Sequence, residues 1–181
     1  MPSIETERLR LRMVRRDDLD DLAALFADAD VMRFVGDGQT ADRAVAERAL
    51  DSIIKHWQTH GFGRWMVAHK GTHKFVGFGG LRSLFGTPEL VYHLAKEHWG
   101  CGFATEFARA ALRFGFEERN FETIVAIIKP GNAASIRVME KLGMRFEKNA
   151  RYYDLDVVQY RIERDEFQWD GSAYSFLPDE K

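Results

Sequence analysis

The sequence predicts an α/β (α+β) fold: one domain with a mixed, mostly antiparallel, twisted sheet of about seven strands and flanking helices. Three observations lead there. Segments that alternate apolar and polar residues are interleaved with stretches whose apolar residues recur at helical spacing. Gly100 and Gly102 stand where an extended segment (90–95) gives way to a helical one (103–118), and a β-branched strand (123–128) follows at βαβ spacing, which makes one strand pair parallel. A tight Gly71-Thr72 turn and a closing pair near the C-terminal end make other pairings antiparallel.

In chain order, Leu9, Leu11 and Met13 alternate with Arg8, Arg10 and Arg12, giving a strand whose arginines read as a solvated or acid-paired face. Asp17 and Asp18 supply acid where a first helix begins, with Leu19, Leu22, Ala23 and Phe26 on one side. A loop around Gly36-Asp37-Gly38 leads to a second helix. Thr40 caps it, Ala46, Ala49, Leu50, Ile53 and Trp57 form its inner face, and Gly61 ends it. Residues 64–69 and 74–81 form a hairpin in which Gly77, Gly79 and Gly80 are costly unless another backbone or a ligand comes close. The strand 89–95 has Leu90, Tyr92 and Leu94 on one face and Glu89, Val91 and His93 on the other. In the helix after it, Ala104, Phe107, Ala108, Ala111 and Leu112 form a buried stripe. A short helix (132–142) stops at Gly143, and segments 144–147 and 157–162 close the sheet as an antiparallel pair. The tail from Trp169 carries no usable periodicity.

A chain of 181 residues with 45% hydrophobic and 13% aromatic content can bury a core and is not disordered. A formal net charge of -2 gives no strong field for nucleic acid. Cys101 is the lone cysteine, which excludes an internal disulfide and fits a reducing compartment. The start lacks the apolar core of a secretion signal, and no apolar run reaches the ~18 residues of a membrane span, so the expectation is a cytoplasmic protein with no membrane partner. No metal is expected.

The chemistry concentrates at the glycine turn. Backbone relaxed by Gly100 and Gly102 can aim the first N–H groups of the following helix outward, and the helix dipole makes them a pocket for phosphate oxygens, foremost a pyrophosphate. A second block follows: Pro130-Gly131, then Asn132 and Ser135 opening the helix that ends at Gly143. Together, Trp99-Gly100-Cys101-Gly102-Phe103-Ala104-Thr105-Glu106 and Asn132-Ala133-Ala134-Ser135 with Lys141-Leu142-Gly143 resemble the GNAT superfamily of N-acetyltransferases. Within it they resemble in particular the branch typified by ribosomal-protein N-terminal acetyltransferases. The segments 6–12, 61–65 and 76–81 look like the same branch, and the resemblance spans roughly residues 4–167, leaving 168–181 as a tail.

The resemblance implies a sheet splayed at an acyl-CoA site and an acetyl-CoA-dependent enzyme that acetylates a primary amine. A peptide or protein N-terminus is the acceptor the branch suggests; an aminoglycoside, amino acid or polyamine stays open, as does a homodimer. It further implies that N–H groups from Cys101 through Gly102, Phe103, Ala104 and Thr105, in the turn begun by Trp99 and Gly100, hold the CoA pyrophosphate. Leu94 and Ala95 would pair with the pantetheine amides, Asn132 would anchor the pantetheine arm, Ser135 would lie near the sulfur and Lys141 near the adenosine phosphates. Two departures stand out: Met139 replaces a tyrosine acid found in many relatives, and Trp99 stands where others have Gln or Arg. The reaction needs a base to deprotonate the ammonium, and Glu89 and His93 are the titratable candidates near the turn, with Ser135 as a candidate acid for the thiolate.

Each residue also has a structural reading. Asn132 is a helix cap, Ser135 a solvated helix residue, Glu89 and His93 an exposed strand face, Lys141 plain surface and Tyr92 core. Cys101 among helix N-terminal amides is a conceivable acyl-carrying nucleophile. A dinucleotide-binding reading of Gly100-x-Gly102 with Glu122 lacks the third small residue and a second βαβ unit. An acyl-CoA sensor without catalysis is the reading from another class, suggested by the missing tyrosine.

Overall fold

Leu9 and Leu11 are fully buried and Arg10 between them is exposed, as their alternation requires. In the computed structural model, which describes residues 2–178, that segment is β2 (Leu9–Met13), and it follows β1 (Ser3–Thr6). Then come α1 (Leu19–Ala27), α2 (Ala29–Met32), α3 (Arg43–His60), β3 (Arg64–His69), β4 (Phe75–Leu84) and β5 (Thr87–Leu94). They are followed by α4 (Phe103–Arg113), β6 (Thr123–Ile128), α5 (Ala133–Lys141), β7 (Arg145–Tyr152), β8 (Leu155–Glu163) and β9 (Tyr174–Leu177). The strands form one sheet in the order β7-β8-β6-β5-β4-β3-β2-β1-β9, antiparallel throughout except for the parallel β5–β6 pair across the α4 crossover.

All seven expected strands are present, and two more bring the sheet to nine. Both escaped the periodic pattern because each is only four residues long. They stabilise each other: β9 pairs with β1 from Ser3↔Leu177 to Thr6↔Tyr174, and Phe176 packs on Phe114 with ring centroids 5.5 Å apart. The tail therefore contributes to the sheet.

Helix boundaries follow local chemistry. Asp42, not Thr40, caps α3, because its carboxylate accepts from the Val45 N–H at 2.9 Å. Gly61 ends that helix in the left-handed conformation, at φ 67. The expected long helix runs as α4 to Arg113 and then widens into a π turn over Phe114–Glu118. Gly115 in that turn has no room for a Cβ, which would meet Ile124 and Leu81 side-chain atoms at 2.6 and 2.9 Å.

The two faces of the sheet separate the site's parts. One carries Leu90, Tyr92, Leu94 and Trp65 and is covered by α4, with Phe107 edge-on to Tyr92 and Phe114 edge-on to Trp65. The other carries Glu89, Val91 and His93 beside Phe78, Arg82 and Arg64, and Phe26 of α1 packs there on Phe78. The glycines of β4 let strands approach closely: a Cβ at Gly79 would lie 2.4 Å from the Val91 carbonyl oxygen and 2.7 Å from Tyr92 Cα. Among the described residues no helix is long and apolar enough to cross a membrane.

Candidate active site at the fork between two strands

The parallel pair is held at a single register position, Glu89↔Val125. Beyond it β5 and β6 part, and a fork opens toward the C-terminal ends of both strands. The Ala95 N–H donates to Val76 of β4 at 2.9 Å, so strand alternation turns the backbone groups of Leu94 and Tyr92 the other way, into the fork. The Leu94 carbonyl accepts the indole N–H of Trp99 at 2.8 Å, which fixes this half-exposed ring beside the fork mouth.

Beyond β5 a short 3₁₀ turn (Lys96–His98) leads to Trp99 and the two glycines. Gly100 (φ 75) and Gly102 (φ 81) are both left-handed, and Gly102 is the N-cap of α4 with no side chain to cap it. The first helical bond runs from the Glu106 N–H to the Gly102 carbonyl, at 3.1 Å, which leaves the amides of Phe103, Ala104 and Thr105 without helical acceptors. Arg8 lies against the turn: Nη1 donates to the Cys101 carbonyl at 2.9 Å, Nε to Glu106 at 2.7 Å, and the guanidinium sits 4.6 Å over the Phe103 ring. The Thr6 hydroxyl also donates to Glu106, at 2.6 Å, so the acid of the first turn is neutralised locally while the bare amides stay free for an anion. Cys101 is exposed, its sulfur 3.6 Å from the Trp99 carbonyl oxygen.

Across the fork, Asn132 caps α5 by accepting from the Ser135 N–H at 3.2 Å. Ser135 is half-buried and close to the Tyr92 hydroxyl on β5, which is enclosed, lies in no hydrogen-bonding geometry, and is pushed up to about 12 chiefly by burial. Met139 is buried in the core, so the position at which the resemblance led to the expectation of a tyrosine acid is apolar packing here. Lys141 is exposed on the last turn of α5, about 14 Å along the axis from its start.

The fork apex carries the titratable groups. Glu89 is fully buried, and both its oxygens accept from Arg82, at 2.6 and 3.2 Å. Burial raises its pKa, and the arginine partly offsets that. His93 is half-buried, stacked on Phe78 at 5.0 Å, with Nδ1 enclosed and unpartnered; burial first, and then Arg64 and Arg82, hold it down at about 3, so the ring is neutral at physiological pH. The exposed-strand-face reading of these two residues does not hold.

The fold thus brings Leu94, Ala95 and Trp99 through Thr105 together on one arm of the fork, Asn132 and Ser135 on the other, and Glu89 at the apex. Sequence reasoning missed four residues beside them: Arg8 at the turn, Tyr92 facing Ser135, and Arg64 and Arg82 around Glu89. Alternation placed Arg8 on a basic face, and its pairing with Glu106 bears out the acid-paired reading.

A family model for the acetyltransferase (GNAT) domain matches residues 8–145 of the chain. The chain belongs to the GNAT acetyltransferases. This GNAT domain is 36% identical over 160 residues to the uncharacterized protein YkkB of Bacillus subtilis, covering 86% of this chain and 92% of YkkB. It is 28% identical over 177 residues to the uncharacterized N-acetyltransferase p20 of Bacillus licheniformis, covering 92% and 99% of the two chains. Its backbone superposes on a GNAT-family acetyltransferase from Bacillus anthracis with a TM-score of 0.79 at 26% identity, over 91% of this chain and 99% of that one. It is an acetyl-CoA-dependent N-acetyltransferase, and the residues at the fork fit that co-substrate: unpaired amides behind two left-handed glycines for the diphosphate, and strand edge turned inward for the pantetheine amides.

Proposed function

We propose that this GNAT domain transfers the acetyl group of acetyl-CoA directly to the N-terminal amine of a peptide or protein, with no covalent acyl-enzyme. The observation that carries this is the fork itself. Its mouth is lined by free amides and its apex by a buried carboxylate, at the place where β5 loses its pairing with β6. The phosphates belong at Cys101 to Thr105, the pantetheine along the inward edge of Leu94 under Asn132, and the thioester near the apex; Ala95 only holds the strand in place, its N–H and carbonyl being taken by Val76 and His98.

At the apex Glu89 takes the proton of the incoming ammonium through an intervening water, because its own oxygens are buried and held by Arg82, and burial raises its affinity for that proton. The freed nitrogen lone pair attacks the thioester carbon and forms the C–N bond. The oxyanion this creates is met by an N–H of β5 turned into the fork, that of Tyr92. The C–S bond then breaks with its electrons on sulfur, and the nitrogen loses its second proton to solvent. The thiolate is a good leaving group, with a thiol pKa near ~8.5, and takes its proton from the Ser135 hydroxyl, which recovers one from water.

Peptide acceptors are supported by the rim of the apex, where exposed Phe85 stacks with Tyr152 and exposed Tyr153 around a recess of ≈ 110 Å³ that Val125 also lines. The small size of that recess favours, as a second reading, a small amine. A panel of peptides, amino acids, polyamines and aminoglycosides, scored by thiol release and product mass, tests both. Acetylated peptides uphold the first reading and acetylated small amines the second. Tight acetyl-CoA binding with no acetylated product from any amine would leave an acyl-CoA sensor.

A further inference from the structure

The apex holds more positive charge than the base requires. Arg64 of β3 and Arg82 of β4 lie on the same face as Glu89, and the register places them around it: Arg82 opposite Glu89, Arg64 opposite Gly80, and Gly80 opposite Val91. Arg82 is committed to Glu89 through two hydrogen bonds. Arg64 has no such partner. Its guanidinium lies 5.7 Å from the Phe78 ring centroid, sits deep in the protein yet keeps part of its surface open, and makes no ion pair among the described residues. Burial first, and then the repulsion of Arg82, bring it down to about 10 against the attraction of Glu89, and it is still charged at physiological pH. His93 and His56 on this side are both held below their ordinary value by burial, which keeps them neutral, and Tyr153 lies 5.9 Å from Arg82 across its ring, so none of them supplies a carboxylate for Arg64.

Glu89 attracts both guanidiniums but is already hydrogen-bonded to Arg82, and a second guanidinium withdrawn from water without an anion of its own is unfavourable. Acetyl-CoA does not supply one. Its charged groups belong at the α4 end of β5, and the five residue steps from Glu89 to Leu94 separate the two ends by about 17 Å. The part of the co-substrate near the apex is the uncharged thioester, so the anion must arrive on the acceptor. Arg64 and Glu89 are two strand spacings and two residues apart, roughly 12 Å between Cα atoms, a gap that their side chains narrow to the span of a small zwitterion.

The geometry points to an acceptor that carries a carboxylate within a few bonds of the amine, the amine reaching Glu89 through the intervening water and the carboxylate meeting Arg64. The inference rests on reading the fork as the acetyl-transfer site. Two sources offer this chemistry: the α-carboxylate of a free amino acid, and the acidic side chain of a peptide that begins with, or follows its first residue by, Asp or Glu. Arg64 then acts as a specificity-determining residue for the reaction.

The test compares matched pairs: alanine with alaninamide, and the peptides Ala-Asp-Ala-amide with Ala-Asn-Ala-amide. Values of kcat/KM are measured for the wild-type protein, Arg64→Met and Arg64→Lys, and acetyl-CoA affinity by calorimetry is the check that each variant is folded. The expected result is a preference of more than about tenfold for the carboxylate member of at least one pair. That preference should collapse toward unity in Arg64→Met and be partly kept in Arg64→Lys, at unchanged acetyl-CoA affinity. The pair that shows it identifies the source. Equal use of both members of each pair, or an Arg64→Met loss that falls equally on both, overturns the carboxylate inference and leaves acetyl transfer standing. Failure of the wild-type protein to bind acetyl-CoA, or to acetylate any member, overturns the transfer reading and this inference with it.

Discussion

Asn132 has two tasks in this reading, and two substitutions separate them. Its Oδ1 accepts from the Ser135 N–H at 3.2 Å, a cap worth about 1 kcal/mol. Its Nδ2 group makes no hydrogen bond among the described residues and is left to hold the pantetheine arm. Asn132→Ala removes both functions. Stability should fall by about 1 kcal/mol, which in a domain of this size lowers the melting midpoint by about 2–4 °C, and acetyl-CoA should bind more weakly. Asn132→Asp keeps an acceptor for the Ser135 N–H and adds negative charge at a helix N-terminus, favourable by about 0.3–1 kcal/mol. It also deletes the donors and sets a carboxylate against an amide carbonyl. A lost hydrogen bond of about 1 kcal/mol together with the penalty of an unpaired buried acceptor should weaken acetyl-CoA about tenfold or more. The aspartate variant should therefore melt at or above the wild-type temperature yet bind poorly, a combination that no purely structural role produces. Differential scanning calorimetry and titration calorimetry with acetyl-CoA supply the two readings. If Asn132→Asp binds within about twofold of wild type while Asn132→Ala melts lower, the residue is only a cap.

Further outcomes follow from the same geometry. Glu89→Gln should lower kcat by about 10²–10⁴, and because burial raises the Glu89 pKa, wild-type kcat/KM should climb with pH through a limb above the ordinary carboxylate range; a pH–rate profile of the variant that keeps this limb would assign it elsewhere. His93, held at about 3 in the folded protein against 6.5 unfolded, contributes stability that is complete above pH 6.5 and lost as pH falls toward 3, at up to about 1.4 kcal/mol per pH unit. Urea unfolding from pH 4 to 7 should show a shallower slope for His93→Phe, and equal slopes would refute the assignment. Arg8→Gln should weaken acetyl-CoA binding about three- to tenfold and flatten its dependence on salt, measured by calorimetry at two ionic strengths; an unchanged salt slope would remove Arg8 from the phosphate site.

What the sequence disclosed follows from how local each signal is. Gly100, Gly102 and the Asn132–Gly143 block punctuate the chain within a few residues, so the turn, both helix starts and β6 were readable directly. Alternation on β5 correctly grouped Glu89 with His93, since a face is a property of one strand. Their partners are not. Arg82 meets Glu89 only through the β4–β5 register, and Arg64 joins them only because β3 pairs with β4 across an irregularity between Val67 and Ala68. The closeness of Tyr92 to Ser135 depends on how α5 packs over the fork, which no spacing within either segment encodes. The Thr40 assignment failed for a smaller reason: Asp42 lies nearer the helix and is the better acceptor for its amides.

The pairing of β1 with β9 has a practical corollary. Ser3 and Leu177 face one another across a single strand spacing of about 4.8 Å, so a brief Gly-Ser tether would join β9 to β1 without distorting either strand. Opening the chain instead at the exposed Gly36-Asp37-Gly38 loop would give a circular permutant with every ladder intact. Trimming the polypeptide before Tyr174 would do the opposite, leaving β1 as a bare margin whose unsatisfied amides and carbonyls invite self-association.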